Sequence, residues 1–447
     1  MNRILGYQHS VSLSAGMIGA LVLALAAGGL DAVAEEDVPT ALLDYVTRPE
    51  PVYGWQLRGK LPTEHGTVYD VDLTSQEWQG IVWKHVLQIF EPAQVQYPKH
   101  VLLFVSGGKN GGRPGSGDAE RGLLLAKLTG ARVAVLSQVP NQPLFEGRVE
   151  DDLITETWLR YLETGDATWP LLFPMVKSAV KAMDTVQSLA AREWNGTVEG
   201  FVITGGSKRG WTSWLTPVAD QRVIATAPIV IDVLNFLPQM RHQLETWGEY
   251  SEQIYDYTSK GLIKLENETE REVALRVMMD PYTYRNRLTL PKLIVNGTND
   301  PYWVVDANRF YWFDLVGPKY LLKVPNAGHG LEGGRELAYS TLSAFFRHIA
   351  SATPMPELQW THESGAEELR VRVQSSEASK AARVWIARSA DKDFRDAQWT
   401  SQPMIEKEGQ WVGRVARPEQ GYVALYGELQ FEFQGLDYSL CTLINQQ

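Results

Sequence analysis

Three residues in this chain have the types and the order for acyl transfer: Ser207, Asp300 and His329. A serine hydroxyl is a poor nucleophile at neutral pH. It needs an imidazole to take its proton and later return it to the leaving group, and a carboxylate to hold the imidazole's tautomer and stabilise its charged form. Each of the three follows an apolar, strand-like run, at 198–203, 293–295 and 320–324 respectively. At the carboxyl edge of a parallel sheet, loops of this kind converge on one binding site. About 90 residues separate the serine from the aspartate, enough for an insertion, and about 30 separate the aspartate from the histidine, one helix-and-strand unit. Asp306, slightly later in the chain, is the alternative acid.

The serine stands in V-E-G-F-V-I-T-G-G-S-K-R-G, residues 198–210. A strand that becomes a helix over one residue, with glycines beside a serine, is what a nucleophile elbow requires. The usual pattern is G-x-S-x-G. Here Gly205 and Ser207 fit it, Arg209 takes the second small position, and the glycine comes one residue later, at Gly210. Arg209 therefore brings a guanidinium near the site, either to recognise a substrate carboxylate or to pair with a buried acid such as Asp232. Trp303, just after Asp300, is a second candidate substrate contact. A developing oxyanion needs donors as well. One is expected from the backbone N–H of Lys208 at a helix start, and the other from the glycine loop at Gly107 or Gly108. That loop lacks the Lys-Ser/Thr ending of a phosphate-binding P-loop.

The elements that must position these residues follow from periodicity. Alternating runs at 67–73 and 82–90 read as half-buried antiparallel strands, with His85 structural. Continuous apolar runs at 101–105, 131–136, 223–233, 293–295 and 320–324 read as strands buried on both faces. Helical patterns intervene at 118–128, 175–191, 208–217, 304–315 and 331–349. Strands alternating with helices predict an α/β class, an α/β-hydrolase fold with a mainly parallel sheet. Residues 235–288 interrupt it with a helical, aromatic stretch that is either a lid over the site or an outer helical pair. Beyond Pro354 and Pro356, residues 357–447 read as short strands, a β-sandwich-like domain after a hydrolase domain at 35–352.

Composition excludes several functions. A formal net charge of −11 and a pI near 5.4 argue against nucleic-acid partners. Residues 17–30 are apolar and small, and Ala32-Val33-Ala34 precedes Glu35-Glu36, which predicts a cleaved signal peptide at 1–34 and a periplasmic or secreted protein without stable membrane insertion. One cysteine, Cys441, permits no internal disulfide, and the eight histidines show no paired metal spacing, so neither metal nor cofactor is expected.

Several blocks carry a resemblance: Gly205-Gly206-Ser207-Lys208-Arg209-Gly210-Trp211-Thr212, Trp169-Pro170 with Pro174-Met175-Val176-Lys177, Asp151-Asp152-Leu153-Ile154, and Val324-Pro325-Asn326-Ala327-Gly328-His329. With these the chain resembles the PhoPQ-activated pathogenicity-related protein family over roughly residues 40–440. The resemblance implies an exported bacterial α/β-hydrolase-like protein with a C-terminal β domain. Where family members often carry D-E-F-F, this chain has Asp300-Pro301-Tyr302-Trp303, which points to a reshaped pocket. More distantly, the S-[KR]-x-G elbow is similar to that of glucuronoyl esterases, and the architecture to prolyl-oligopeptidase-type peptidases without their propeller. The expected function is a serine hydrolase acting on an ester or amide of a small molecule or peptide. A carboxylate-bearing ester is suggested by Arg209, and a peptide amine by Glu150-Asp151-Asp152 if that cluster reaches the site. The alternative is a non-catalytic binding protein on the same scaffold, acting at the cell envelope or on host components.

Overall fold

Apolar runs and amphipathic stretches alternate from about residue 100 onward, and that alternation sets the architecture of the computed structural model, which describes residues 38–447. The expected signal segment, 1–34, lies outside them. Among the described residues no helix is long and apolar enough to cross a membrane.

Nine strands form the central sheet: β1 (Gly54–Thr63), β2 (Gly66–Trp78), β3 (Ile81–Pro92), β4 (His100–Val105), β5 (Arg132–Leu136), β6 (Gly200–Gly206), β7 (Val223–Ile229), β8 (Lys292–Gly297) and β9 (Lys319–Val324). Their order is β1-β2-β3-β5-β4-β6-β7-β8-β9. β1 to β3 form an antiparallel meander, and β5 through β9 along this order are parallel. The chain leaves β4 toward one edge and returns to β6 on the other side, so the order reverses between β4 and β6. In open sheets that switch point is where ligands bind. Every residue of β8 is buried, and β6 is buried up to Gly206, as continuous apolar runs between two helical layers require. The arrangement is the α/β-hydrolase fold.

Helices Ser116–Thr129, Leu172–Leu189, Lys208–Ala219 and Arg335–Ala350 cover the sheet. β1 was not expected, because most of its side chains are exposed and carry no alternation. One expectation fails. Residues 304–315, expected as a helix, form only the short turns Ala307–Phe310 and Trp312–Asp314. Buried Asp232 draws the Asn308 amide and the Tyr311 hydroxyl to itself, and aromatic, Asn and Asp residues have modest helix propensity.

Residues 235–288 contain the helices Phe236–Trp247 and Glu270–Met279 between β7 and β8. The last part of the chain forms two antiparallel sheets whose apolar faces share one core with the central sheet's final helix. Strand Leu436–Cys441 packs on helix Arg335–Ala350 and on β9. Cys441 is buried there, and burial pushes its thiol up, away from reactivity.

Lys292, at the start of β8, is fully buried and donates to the Val316 carbonyl at 2.6 Å. Burial, with Lys319 nearby, pushes its ammonium down to about 7. Its folded value lies below the unfolded one, so the unfolded chain binds more protons between these values and stability rises from pH 7 toward 10.5. Lys292→Met is expected to melt about 2 °C higher than the parent at pH 7 and to gain less between pH 7 and pH 9 in thermal scans.

Candidate active site

Ser207 lies between β6 and the helix Lys208–Ala219 with φ 56° and ψ −124°, a conformation that side chains other than glycine seldom adopt. Its N–H donates to the Ile229 carbonyl on the neighbouring strand at 2.9 Å, which pins the turn. Space for the turn comes from two glycines. A Cβ at Gly205 would stand 2.8 Å from the backbone of Arg209, and one at Gly210 would stand 2.9 Å from the Gly205 carbonyl.

The turn lifts the serine hydroxyl to 2.9 Å from His329 Nε2. On its other side His329 Nδ1 is 2.9 and 3.1 Å from the two oxygens of Asp300. A carboxylate only accepts, so Nδ1 carries the proton and Nε2 is left to accept from the serine. Asp300 is buried and takes a further bond from the N–H of Tyr302 at 3.0 Å. The alternative acid, Asp306, is not near His329. It bonds His242 at 2.6 Å and Arg309 at 3.0 Å.

Arg209 pairs with an acid, as one of its two readings has it, but the acid is Glu150 and not Asp232. Its guanidinium makes a two-pronged pair with Glu150, 2.8 Å on each prong, and its Nε donates to the Val139 carbonyl. It does not line the cleft at Ser207, and Asp232 instead accepts from Asn308 and Tyr311 and lies 4.0 Å from Lys323. Gly107 packs against this guanidinium, where a Cβ would come within 2.7 Å of Nη2. Gly107 and Gly108 line a separate cavity beyond the loop, and neither is among the residues lining the Ser207 cleft. Lys208 does line the cleft, and as the first helical residue its N–H has no partner within the helix.

The cleft wall is mostly apolar: Trp211, Val233, Phe236, Met240, Ile254 and Trp303. Four of these, Val233, Phe236, Met240 and Ile254, come from the insertion between β7 and β8 or its approach, so that insertion covers the serine. Trp303 is 8% exposed, and its indole N–H has no partner among the described residues. Trp211, Val233 and Phe236 also line an adjoining apolar pocket inside the insertion.

Sequence reasoning gave no role to three further groups. The Tyr302 ring stacks on the His329 imidazole, with centroids 4.2 Å apart. The Lys208 ammonium bonds Asp151 at 2.8 Å, and Asp151 accepts from the Tyr257 hydroxyl at 3.0 Å, tying the elbow helix to the insertion. Only the acidic run 150–152 signalled this. Its members are all matched by cations: Glu150 by Arg209, Asp151 by Lys208, and Asp152 by Arg148 and Lys260. Among the described residues no group of three or more His, Cys, Asp or Glu is placed to hold a metal ion.

The sheet order and the strand-to-loop placement of these groups define a protein of the α/β-hydrolase fold. The chain belongs to the PhoPQ-activated pathogenicity-related protein family, whose model matches residues 42–395. It is 36% identical over 339 residues to autocrine proliferation repressor protein A of Dictyostelium discoideum, covering 72% of this chain and 67% of that one. Among solved structures it is similar to acetyl xylan esterase 1 from Thermoanaerobacterium sp. JW/SL YS485 (TM-score 0.48, 17% identity, 70% of this chain and 94% of that one). An acetyl xylan esterase from Paenibacillus sp. R4 is similar too (TM-score 0.47, 16% identity, 70% and 91%).

Burial raises the Glu150 carboxyl, but the hydrogen bonds and charge of Arg209, with Gln142 and Lys208, bring it down to about 2. Its folded value lies below the unfolded one, so the stability it contributes is present above about pH 4.5 and lost as pH falls toward 2. Glu150→Gln is expected to cost roughly 2 kcal/mol at pH 7 in urea unfolding, less than a fully buried pair because Glu150 is part-exposed. The difference from the parent should shrink as pH drops below 4.5.

Proposed function

We propose that this protein is a serine hydrolase that cleaves an ester or amide through an acyl-enzyme. The observation that carries the reading is the unbroken chain from Ser207 Oγ through His329 to Asp300, each link about 3 Å long. Ser207 Oγ attacks the substrate carbonyl carbon while His329 Nε2 takes the hydroxyl proton. Asp300 holds the Nδ1 proton and stabilises the imidazolium. The tetrahedral oxyanion forms beside the N–H of Lys208 at the positive end of its helix. Collapse breaks the bond to the alcohol or amine, which leaves with the proton from Nε2. Water, deprotonated by the same nitrogen, then releases the acid and restores the serine.

The cleft supports an uncharged, apolar acyl group. Arg209 is occupied by Glu150 and turned away, which removes the argument for a carboxylate-bearing ester. Asp151 lines the cleft but is matched by Lys208, so the acidic run does not favour a free amine. The apolar wall continues into the insertion. Export through the segment at 1–34 belongs to the same proposal, on the strength of its apolar run and A-x-A site.

Hydrolysis of p-nitrophenyl acetate and butyrate tests the reading. Ser207→Ala is expected to lower kcat by about 10⁶, and Asp300→Asn by about 10⁴. Turnover that survives Ser207→Ala, or a folded parent inert to esters and aryl amides alike, would favour the binding-protein alternative.

A further inference from the structure

The loops that carry Asp300 and His329 are both fastened to one segment of the C-terminal β module, residues 394–399. Asn299, beside Asp300, donates its side-chain amide to the carbonyls of Arg395 at 2.9 Å and Ala397 at 2.8 Å. Asn326, three residues before His329, donates to the Trp399 carbonyl at 3.0 Å and accepts from the Trp399 N–H at 2.7 Å. Thr298 joins the two loops. Its hydroxyl donates to Asn299 Oδ1 at 2.7 Å and accepts from the Asn326 N–H at 2.8 Å. The segment is itself anchored, because Phe394 and Trp399 are only 2% and 1% exposed in the module's core.

These bonds are not needed to hold the module in place, since strand Leu436–Cys441 already packs on helix Arg335–Ala350 and on β9. Nor does the chemistry of acyl transfer use an amide at either position. What they fix is orientation. A side-chain amide that both donates to and accepts from one residue's backbone constrains angle as well as distance. The Asp300–His329 contact joins two loops that follow separate strands and bond each other directly, Thr298 N–H to the Val324 carbonyl and Asn299 N–H to the Ala327 carbonyl at 3.0 Å each, and the segment anchors both loops from outside.

We infer that segment 394–399 positions the Asp300–His329 pair through Asn299 and Asn326, so that the C-terminal module is a working part of the active site. The inference rests on the hydrolase reading above. Asn299 and Asn326 are positioning residues and touch neither substrate nor Ser207. Displacement of a reacting group by about 1 Å costs on the order of 10²-fold in rate.

The test uses the full chain with Asn299→Ala, Asn326→Ala and Asn326→Asp, the last keeping an acceptor for the Trp399 N–H. Arg417→Ala, just after strand Gln410–Ala416 of the module's four-stranded sheet, where the guanidinium bonds the Gly365 carbonyl, controls for general loosening of the module. Both alanine variants are expected to lose about 10- to 100-fold in kcat for p-nitrophenyl acetate with KM changed less than about twofold, and Asn326→Asp to recover part of the loss. The downfield Nδ1–H proton resonance of His329 should move upfield in both alanine variants, because a misaligned Asp300 accepts that proton less well. Folded alanine variants with parental kcat and a parental His329 Nδ1–H resonance would overturn the inference, as would an equal loss in Arg417→Ala. If the parent shows no turnover, the hydrolase reading fails, while the His329 Nδ1–H resonance still decides the positioning claim.

Discussion

The backbone of Ser207 is the constraint on which the site depends. A serine at φ 56° and ψ −124° is costly by itself and persists only where its surroundings leave no alternative. Those surroundings are identifiable. The Ile229 carbonyl holds its N–H, Gly205 and Gly210 let strand and helix close on each other, and the next two residues are locked by ion pairs to the start of the helix Glu150–Thr164. The Arg209–Glu150 fork and the Lys208–Asp151 bond brace the elbow from one side. Loosening them releases the turn that aims the hydroxyl at His329.

The opposite side is braced by different means. Asp300 and His329 come from loops after β8 and β9, and side-chain amides tie these loops to the C-terminal module. The Tyr302 ring lies flat on the imidazole, and burial together with the charge of Asp151 keeps its hydroxyl protonated well above the ordinary range. The insertion closes the top, with Tyr257 reaching Asp151 and Arg395 of the C-terminal module stacked 4.1 Å over Trp247 of the insertion. The two braces meet at the Ser207–His329 hydrogen bond and at the Tyr257–Asp151 bond, so the serine–histidine contact requires both to be intact.

Much of this was legible in the sequence, for a physical reason. A strand buried on both faces must be a continuous apolar run, so β4 through β9 stood out, and the loops after them named Ser207, Asp300 and His329 by position. The sharp turn at Ser207 had its glycines next to it in the chain. What was not legible depends on distant partners. Arg209 pairs with a residue 59 positions earlier, and a guanidinium beside a nucleophile reads equally as a substrate contact until that partner is placed. Asn299 reaches residues 96 and 98 positions later, and Asn326 one that is 73 later. Asparagines in loops ordinarily serve their own turns, which hides such a role. β1 escaped because an exposed edge strand has no burial pattern to read.

The most direct test of the account is to react the folded protein with a fluorophosphonate and map the adduct by peptide mass spectrometry. One adduct is expected, on the peptide that carries Ser207, lost in Ser207→Ala and strongly slowed in His329→Ala. No adduct on folded protein, or an adduct on another residue that forms equally in Ser207→Ala, would contradict it.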